Sequence, residues 1–150
     1  FAEVGEDYRR YAIGNVHRHL AEMRHQVKLL APDGVPELVF TPHLLPVRRG
    51  ILETIYVPLE KPLSAADAAA IYAEDYAEEP FIDLLGDTVP KLTDVVGTNL
   101  LAMAVFPVQG VSSPLLTVVS AEDNLVKGAS GQALQNLNVM EGWEETEGLA

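Results

Sequence analysis

Two histidines flank an arginine near the start of the chain, in the segment His17-Arg18-His19. In an extended segment, side chains two residues apart point to the same side, so His17 and His19 would face one way and Arg18 the other. Two imidazoles placed in this way could share acid–base work or bind a metal ion, although no third metal ligand is obvious. Ordinary surface histidines, or histidines with satisfied hydrogen bonds, are the alternative interpretation. Arg18 could hold an anionic substrate.

A second group of polar residues occupies the segment Pro42–Gly50, which two prolines and a glycine predict to be a loop. It contains His43, Arg48 and Arg49. A guanidinium group can bind a carboxylate or a phosphate through two hydrogen bonds at once. The two arginines could therefore clamp an acidic group of a substrate. Two solvated arginines ahead of a strand are the alternative.

A third candidate begins the run Asp123–Met140, which predicts a helix with a polar, small-residue start. Asp123 or Asn124 can cap its first turn. Two interior glycines each cost up to ~1 kcal/mol relative to alanine, which indicates close packing or a ligand against this surface. The carboxamide of Asn124 could bond another carboxamide, or merely cap the helix. Apolar residues at helical spacing predict a narrow packed stripe, formed by Leu125, Ala129, Leu134, Leu137 and Met140.

The elements that must position these residues alternate between strand and helix along the chain. Helices are predicted over Leu20–Leu30 and Ser64–Ala77, and strands over Tyr8–Asn15, Leu38–Thr41, Ile51–Leu59, Phe81–Leu84, Asn99–Pro107 and Leu115–Ser120. The last two strands predict a hairpin. Ile51–Leu59 is largely apolar on both faces, so we expect it to be a central strand or to be covered on both sides. The order predicts an α+β fold with a mixed or antiparallel sheet covered by helices. No Gly-x-Gly-x-x-Gly follows a strand, which excludes a Rossmann unit.

The bulk composition excludes several classes of function. The chain has 150 residues, consistent with one domain over 1–150, and no cysteine, which excludes disulfides and thiolate metal sites. The net charge of −12 disfavours nucleic acid and anionic membranes, because both require a basic surface. No run of ~18 apolar residues predicts a transmembrane helix, and no secretory signal opens the chain. We expect a cytoplasmic protein. Because the sequence starts at Phe1 without methionine, we also expect a fragment, a processed chain or an excised domain.

The Asp123–Met140 run closely resembles the C-terminal helix of the N-acetyl-gamma-glutamyl-phosphate reductases, a family of NADP-dependent enzymes of arginine biosynthesis. Three other segments are similar to that family, Val16–Met23, Phe40–Leu52 and Gly142–Leu149. Gly97-Thr98-Asn99 also matches a Gly-Ser-Asn segment of the family, without an assigned chemical role. The resemblance extends in family order over nearly the whole chain. It implies the C-terminal domain of the semialdehyde dehydrogenase type, which binds substrate and joins subunits into a homo-oligomer.

The resemblance also implies roles for individual residues. His17 and His19 would be catalytic, with His17 for proton transfer or pairing with a cysteine thiolate and His19 as its support. The family usually follows its His-Arg-His with Thr-Pro, where this chain has Leu20-Ala21. This difference leaves the imidazoles in place and changes the expected start of the next helix. Substrate binding is implied for Arg18, His43 and Arg49, and binding of NADP beside the nicotinamide for Asn124, Lys127 and Gly128.

The reaction of that family is the reductive dephosphorylation of an acyl phosphate to an aldehyde. A cysteine thiolate attacks the acyl carbon, phosphate leaves, and NADPH delivers hydride to the thioester. This chain contains neither the cysteine nor a nucleotide-binding fold. We therefore expect both in a preceding N-terminal nucleotide-binding domain, and we expect the isolated chain to be inactive.

Two alternatives to this function remain open from the sequence. One is the equivalent domain of a reductase of lysine biosynthesis, which acts on aminoadipyl phosphate held on a carrier protein. The acidic net charge argues mildly against it, because that carrier is itself acidic and like charges repel. The other is a non-catalytic binding or assembly module that has the fold without the chemistry.

Overall fold

The structure is a computed structural model that describes residues 7–31, 34 and 37–149. The chain forms two compact units, Phe1–Arg48 and Arg49–Ala150. The expectation of a single domain over 1–150 stays a prediction. None of the described helices is both long enough and apolar enough to cross a membrane.

The first unit contains one helix and a short two-stranded ladder. Strand β1 (Arg9–Arg10) pairs antiparallel with β2 (His43–Leu44), and helix α1 (Leu20–Leu30) lies between them in the chain. The prediction of a helix over Leu20–Leu30 is confirmed. The predicted loop Pro42–Gly50 contains the short strand β2.

Two predicted strands of this unit differ from the structure. Tyr8–Asn15 is a strand only over Arg9–Arg10, and the predicted strand Leu38–Thr41 is wrong. The chain turns after β1, because Ala12 and Asn15 adopt positive φ angles of 47° and 61°. The side chain of Asn15 then bonds the second segment directly. Its Oδ1 accepts the N–H of Phe40 at 2.8 Å, and its Nδ2 donates to the carbonyl of Leu38 at 2.8 Å. A side-chain amide, rather than a backbone ladder, thus holds these two segments together.

The second unit contains a four-stranded mixed sheet in the order β3-β6-β5-β4. Its strands are β3 (Ile51–Pro58), β4 (Ile82–Leu84), β5 (Leu101–Pro107) and β6 (Leu115–Glu122). Strand β6 pairs antiparallel with both β3 and β5, whereas β4 runs parallel to β5. The α+β fold, the mixed sheet and the hairpin formed by β5 and β6 are confirmed.

Helices cover the two faces of this sheet unequally. Helix α2 (Ala65–Asp75) packs through Ala68 against a buried cluster formed by Met103, Val105, Leu116 and Val118. On the opposite face, the short helix α3 (Leu92–Val95) packs through Val95 against Ala102 and Ala121. Helix α2 begins after Ser64, whose Oγ accepts the N–H of Asp67 at 3.0 Å, and it ends at Asp75 rather than at the predicted Ala77.

Strand β3 lies at the edge of the sheet, and its residues Ile51–Tyr56 are exposed. The expectation that this strand is covered on both faces is therefore wrong for the described chain. Alternate residues of a strand share a face, so Leu52, Thr54 and Tyr56 form one exposed row on the side opposite to α2. We call this row the β3 surface. Tyr56 is 63% exposed there.

The predicted helix Asp123–Met140 is divided into two parts. Residues Val126–Ser130 form a π-helical turn, and helix α4 (Gly131–Glu141) follows it. The wide turn is stabilised by the carbonyl of Leu125, which accepts the N–H of Ser130 at 3.3 Å and its hydroxyl at 2.8 Å. The predicted apolar stripe is wrong, since Met140 is 81% exposed and the buried residues of α4 are Gly131 and Asn138.

Gly131 explains part of the small-residue surface. A Cβ atom at this position would clash with Oδ1 of the buried Asn99, and it would lie 2.7 Å from Cγ1 and 2.9 Å from the carbonyl oxygen of Val126. The carbonyl is backbone and cannot rotate away. Close packing, the first of the two explanations for these glycines, therefore accounts for Gly131.

Replacing Gly131 by alanine tests this packing. Alanine favours a helix by about 1 kcal/mol, but overpacking a tight site costs about 1–3 kcal/mol. With three contacts below 3.0 Å, we expect the clash to prevail and the free energy of unfolding to fall by about 2 kcal/mol. Urea denaturation measures this difference.

Gly128→Ala is the matched control, because its nearest neighbour is the flexible end of Glu122 at 3.1 Å. We expect it to change stability by less than about 0.5 kcal/mol. Equal stability of the two variants would contradict the assigned packing role of Gly131.

Candidate functional site

The two histidines lie in a turn directly before α1 rather than in an extended segment. The carbonyl of His17 accepts the N–H of Leu20 at 3.1 Å, and the carbonyl of His19 accepts the N–H of Met23 at 2.9 Å. His19 is thus the N-cap residue of α1, which begins at Leu20. The ring centroids of His17 and His19 are 5.0 Å apart, with the ring planes at 79°. The structure brings these imidazoles together as predicted, but through a turn.

Aromatic side chains surround the His17 ring. Tyr11 and Phe40 contact it edge to face, at centroid distances of 5.5 and 5.3 Å. Its Nδ1 accepts the backbone N–H of His19 at 3.3 Å. A nitrogen that accepts carries no hydrogen, so the neutral ring bears its hydrogen on Nε2. His17 can therefore donate through Nε2 to a thiolate or to an oxygen that gains negative charge.

The other predicted site residues of the first unit face solvent. Arg18 is exposed in the same turn as the histidines, and His43 is exposed in β2. Both side chains are accessible to a dissolved anion. Over residues 7–31, 34 and 37–149, no three His, Cys, Asp or Glu side chains are grouped so that they could hold a metal ion.

A second cluster of polar residues arises from the register of the sheet. The pairing of β3 with β6 places Ile51 opposite Glu122, so the residues just before β3 lie beside those just after β6. Arg49 therefore meets Asp123. Its Nε donates to Oδ1 at 3.0 Å and its Nη2 pairs with Oδ2 at 2.6 Å. This two-pronged geometry is the strongest form of an arginine–carboxylate pair.

Asp123 is fully buried and is the centre of this cluster. Its carboxylate also accepts the backbone N–H groups of Gly97 at 2.6 Å and Leu125 at 2.9 Å. Burial acts to raise the pKa of Asp123, but the hydrogen bonds from Arg49, Gly97 and Leu125 and the charge of Arg49 outweigh it and hold the pKa at about 2. Asp123 is therefore ionised at neutral pH and joins three segments of the unit.

Asn124 is held beside this ion pair. Its Oδ1 accepts the N–H of Gly50 at 2.6 Å. Gly50 has φ of 113°, and a Cβ there would lie 2.7 Å from the side chain of Leu92, so the position requires glycine. In the part of the chain that the structure describes, Nδ2 of Asn124 has no hydrogen-bond acceptor.

Lys127 points into the second unit. Its Nζ donates to Oε1 of Gln135 at 2.9 Å and lies 5.5 Å from the centroid of the Phe81 ring. Burial lowers the pKa of Lys127, against the opposing charge of Glu122 and two other glutamates. A contact between Lys127 and a ligand would compete with these internal contacts.

Gly128 lies against Glu122 rather than in open space, since a Cβ atom at this position would be 3.1 Å from Oε1 of Glu122. Burial raises the pKa of Glu122, and the charge of Glu53 raises it further, while Lys127 opposes both. Glu53 also accepts the hydroxyl of Ser120 at 3.1 Å. Glu53, which is exposed, and Glu122, which is half-buried, thus lie close together on the neighbouring strands β3 and β6.

The ion pair of Asp123 with Arg49 was not foreseen from the sequence. The expected cap is confirmed, because Asp123 accepts the N–H groups of Leu125 and Val126. A signal was present, since an aspartate that directly follows a buried strand needs a cation or several donors. The sequence did not predict Arg49 as the partner of Asp123, because this contact depends on the register of β3 and β6. Gly97, for which the sequence predicts no chemical role, donates its backbone N–H to Asp123.

The model of the family described as semialdehyde dehydrogenase, dimerisation domain, matches residues 1–124. The chain therefore belongs to this family. Among solved structures, it is similar to aspartate semialdehyde dehydrogenase II from Vibrio cholerae, with a TM-score of 0.69 and 19% identity over 92% of this chain and 42% of that one. A structure of that enzyme complexed with ASA gives a TM-score of 0.62 and 21% identity over 86% and 39%. These likenesses confirm the fold expected from the sequence.

Curated relatives are more similar in sequence. Proteins named N-acetyl-gamma-glutamyl-phosphate reductase share 46% identity in Geobacter sulfurreducens and 45% in Streptococcus mutans, each over 99% of this chain and 42% of the relative. The one from Pelobacter propionicus shares 44% over 100% and 43%. The chain thus spans less than half the length of these relatives, which are reductases as the sequence resemblance implied.

The charge of Asp123 makes a specific contribution to stability. Its pKa in the folded protein, about 2, is lower than the ordinary value of 3.8, so the contribution is complete above pH 3.8 and is lost as the pH falls through about 2. It corresponds to about 2 kcal/mol. We expect Asp123→Asn to lower the free energy of unfolding by at least about 2 kcal/mol at pH 7. We expect the deficit to shrink as the pH approaches 2.

Urea denaturation at a series of pH values measures this dependence. Asp83→Asn is the matched control, because Asp83 is exposed on β4, and we expect a change below about 0.5 kcal/mol for it. A deficit for Asp123→Asn that is independent of pH would show that the charge of Asp123 does not stabilise the fold.

Proposed function

We propose that this chain is the substrate-binding and dimerisation part of an NADP-dependent reductase that converts N-acetyl-gamma-glutamyl phosphate to N-acetylglutamate semialdehyde in arginine biosynthesis. The observation that carries the proposal is the His17–His19 pair, whose ring centroids are 5.0 Å apart and in which the Nε2–H donor of His17 has no acceptor among the described residues. The names of the relatives at 44–46% identity support the substrate. The enzyme acts in the cytoplasm.

The chemistry requires a sulfur that this chain does not contain, since it has no cysteine. The thiolate and the nucleotide-binding fold belong to a further domain of the same protein. His17 stabilises the thiolate by donating a hydrogen bond from Nε2–H. His19, whose backbone N–H holds Nδ1 of His17, supports that ring. The 150-residue chain alone is therefore inactive.

The substrate carries a phosphate that must be bound and then released. Arg18 is exposed beside the histidines, and His43 is exposed in β2, so both can meet this anion. Arg49 is different, because its Nε and Nη2 are bound to Asp123. It contacts substrate only through the N–H groups that Asp123 does not bind, and its charge is already compensated.

The carboxamide of Asn124 fits a nicotinamide. Its Nδ2 is a hydrogen-bond donor without an acceptor in the described residues, and a nicotinamide carboxamide offers an oxygen acceptor. When bound, this cofactor supplies hydride. Lys127 and Gly128 lie in the π-helical turn that follows Asn124 and complete the cofactor-binding segment. NADP is the form of the cofactor that we propose.

A fusion protein tests the proposal. Residues 1–150 replace the corresponding segment of the reductase from Geobacter sulfurreducens, and NADPH oxidation is followed with N-acetyl-gamma-glutamyl phosphate. We expect the fusion to be active and the 150-residue chain alone to be inactive. His17→Ala in the fusion should lower kcat by about 100-fold or more, because one hydrogen-bond donor to a charged reacting group contributes about this much. His19→Ala keeps the backbone N–H that holds the His17 ring, so we expect a smaller loss.

His25→Ala is the matched control, since His25 is exposed on α1 and has no proposed role. Its kcat should stay within twofold of the parent fusion. A folded fusion that reduces only carrier-bound aminoadipyl phosphate would favour the lysine pathway. A folded but inactive fusion would favour the binding or assembly module.

We further propose that two copies of the chain associate through the β3 surface. Leu52 and Tyr56 are 46% and 63% exposed on a strand whose outer edge is unpaired in the described chain. An exposed apolar row at a sheet edge is a typical site of protein association. The description of the family as a dimerisation domain supports this proposal.

Replacing Tyr56 by glutamate should weaken this association, because a charge would have to be desolvated at the contact. We expect the dimer dissociation constant to rise by about tenfold or more, since a central aromatic residue often contributes about 2 kcal/mol to an interface. Sedimentation equilibrium over a concentration series measures it.

Ile71→Glu is the control, because Ile71 is 49% exposed on α2, on the other side of the sheet. We expect it to associate like the unmodified chain. A monomer at every concentration, before any substitution, would contradict the homo-oligomer.

A further inference from the structure

We propose that Arg49 and Asp123 are positioning residues that fix the carboxamide of Asn124 with its NH2 group outward. Asn124 then contacts the cofactor by donating to a carbonyl oxygen, and it rejects a donor at the same place. This inference rests on the proposed function, and it adds the direction of the hydrogen bond and the residues that set it. Arg49 acts here through Asn124.

The direction of the Asn124 amide follows from its partner. The backbone N–H of Gly50 lies 2.6 Å from Oδ1 of Asn124. An N–H group can bond only to an acceptor, so the oxygen must face Gly50 and the NH2 group must face away. Rotation of the amide by 180° would place two donors together and leave the Gly50 N–H without its acceptor.

The backbone on both sides of Asn124 is anchored by one carboxylate. Asp123 precedes it and binds Arg49, while the N–H of Leu125, which follows it, donates to Asp123 Oδ1 at 2.9 Å. The backbone of Asn124 is therefore held in place on both sides. Few degrees of freedom are left to its side chain.

The donor Gly50 is anchored in the same way. It follows Arg49, whose guanidinium binds both oxygens of Asp123, and it precedes β3, which is paired with β6 along its whole length. Two neighbouring bridges thus link the same pair of segments, one between side chains and one from Gly50 to Asn124. Loosening the Arg49 bridge releases Gly50 and with it the orientation of the amide.

Two variants distinguish the effect of the orientation of the Asn124 amide from the effect of its mere presence. Asn124→Asp keeps an oxygen for Gly50 but changes the outward group from a donor to an acceptor. Arg49→Lys keeps the charge but loses the two-pronged geometry, because an ammonium group cannot match both carboxylate oxygens. Arg24→Lys, on the exposed face of α1, is the matched control.

Binding is measured in the fusion protein by NADPH fluorescence, and again with the reduced 3-acetylpyridine analogue of NADP, which keeps the carbonyl oxygen and replaces the NH2 group by methyl. We expect the parent fusion to bind both within threefold. Asn124→Asp should weaken both by about tenfold, the effect of one lost hydrogen bond. Arg49→Lys should weaken both by a smaller factor, and Arg24→Lys should change neither.

Hydrogen exchange of the Gly50 amide in the 150-residue chain gives a readout that does not depend on activity. We expect it to exchange at least about tenfold faster in Arg49→Lys and to stay protected in Asn124→Asp, because the Asp oxygen still accepts it. Exchange that is unchanged in Arg49→Lys overturns the positioning role, whether or not the fusion is active.

Two binding results overturn the direction of the hydrogen bond. One is a parent fusion that binds the acetylpyridine analogue at least tenfold more weakly than NADPH, since Asn124 would then accept from the NH2 group. The other is an active fusion in which Asn124→Asp binds NADPH as the parent does. Failure of the proposed function is distinct, because it appears as a folded parent fusion without reductase activity.

Discussion

The buried carboxylate of Asp123 is the constraint on which the second unit depends. A charge removed from water is costly unless it is paired and hydrogen-bonded, and Asp123 receives two bonds from Arg49 and backbone N–H groups from Gly97 and Leu125. These donors come from three places in the chain: the residues before β3, the turn after α3 and the start of the terminal helix. Satisfying one carboxylate therefore fixes where the sheet ends and where the last helix begins.

The unusual winding of that last helix follows from the same start. The carbonyl of Asp123 accepts the N–H of Gly128 at 3.0 Å, five residues later, so the chain winds widely from its first turn. Leu125 repeats the pattern with Ser130. Helix α4 can begin beside Asn99 only because Gly131 has no side chain where it meets that residue. Part of the small-residue surface thus serves packing, while the NH2 group of Asn124, just before this surface, has no acceptor among the described residues.

The sequence predicted contacts within one segment of the chain, but it did not predict contacts between distant segments. Helix Leu20–Leu30 and the hairpin of β5 with β6 follow from periodicity within one segment, and both are confirmed. The contacts that periodicity could not supply are non-local: Asn15 bonds the backbone near Phe40, and Arg49 reaches Asp123 across 74 residues. The neighbouring imidazoles were foreseen because they are adjacent in sequence. The role of Asp123 was not, because it requires the register of two distant strands.

The surroundings of Arg18 and Arg49, the two arginines predicted to bind substrate, also differ in charge. A net charge of −12 repels anions, so the phosphorylated substrate and the anionic cofactor that we propose would need local cations. The charge of Arg49 is compensated by Asp123, whereas Arg18 is exposed next to the histidines. We therefore propose Arg18 for the phosphate and Arg49 as the residue that holds Asn124 in place. In the function that we propose, the N–H donor of Asn124 serves the nicotinamide and that of His17 serves the reacting group. A donor at the reacting group favours acyl reduction, because negative charge develops on oxygen in its transition state.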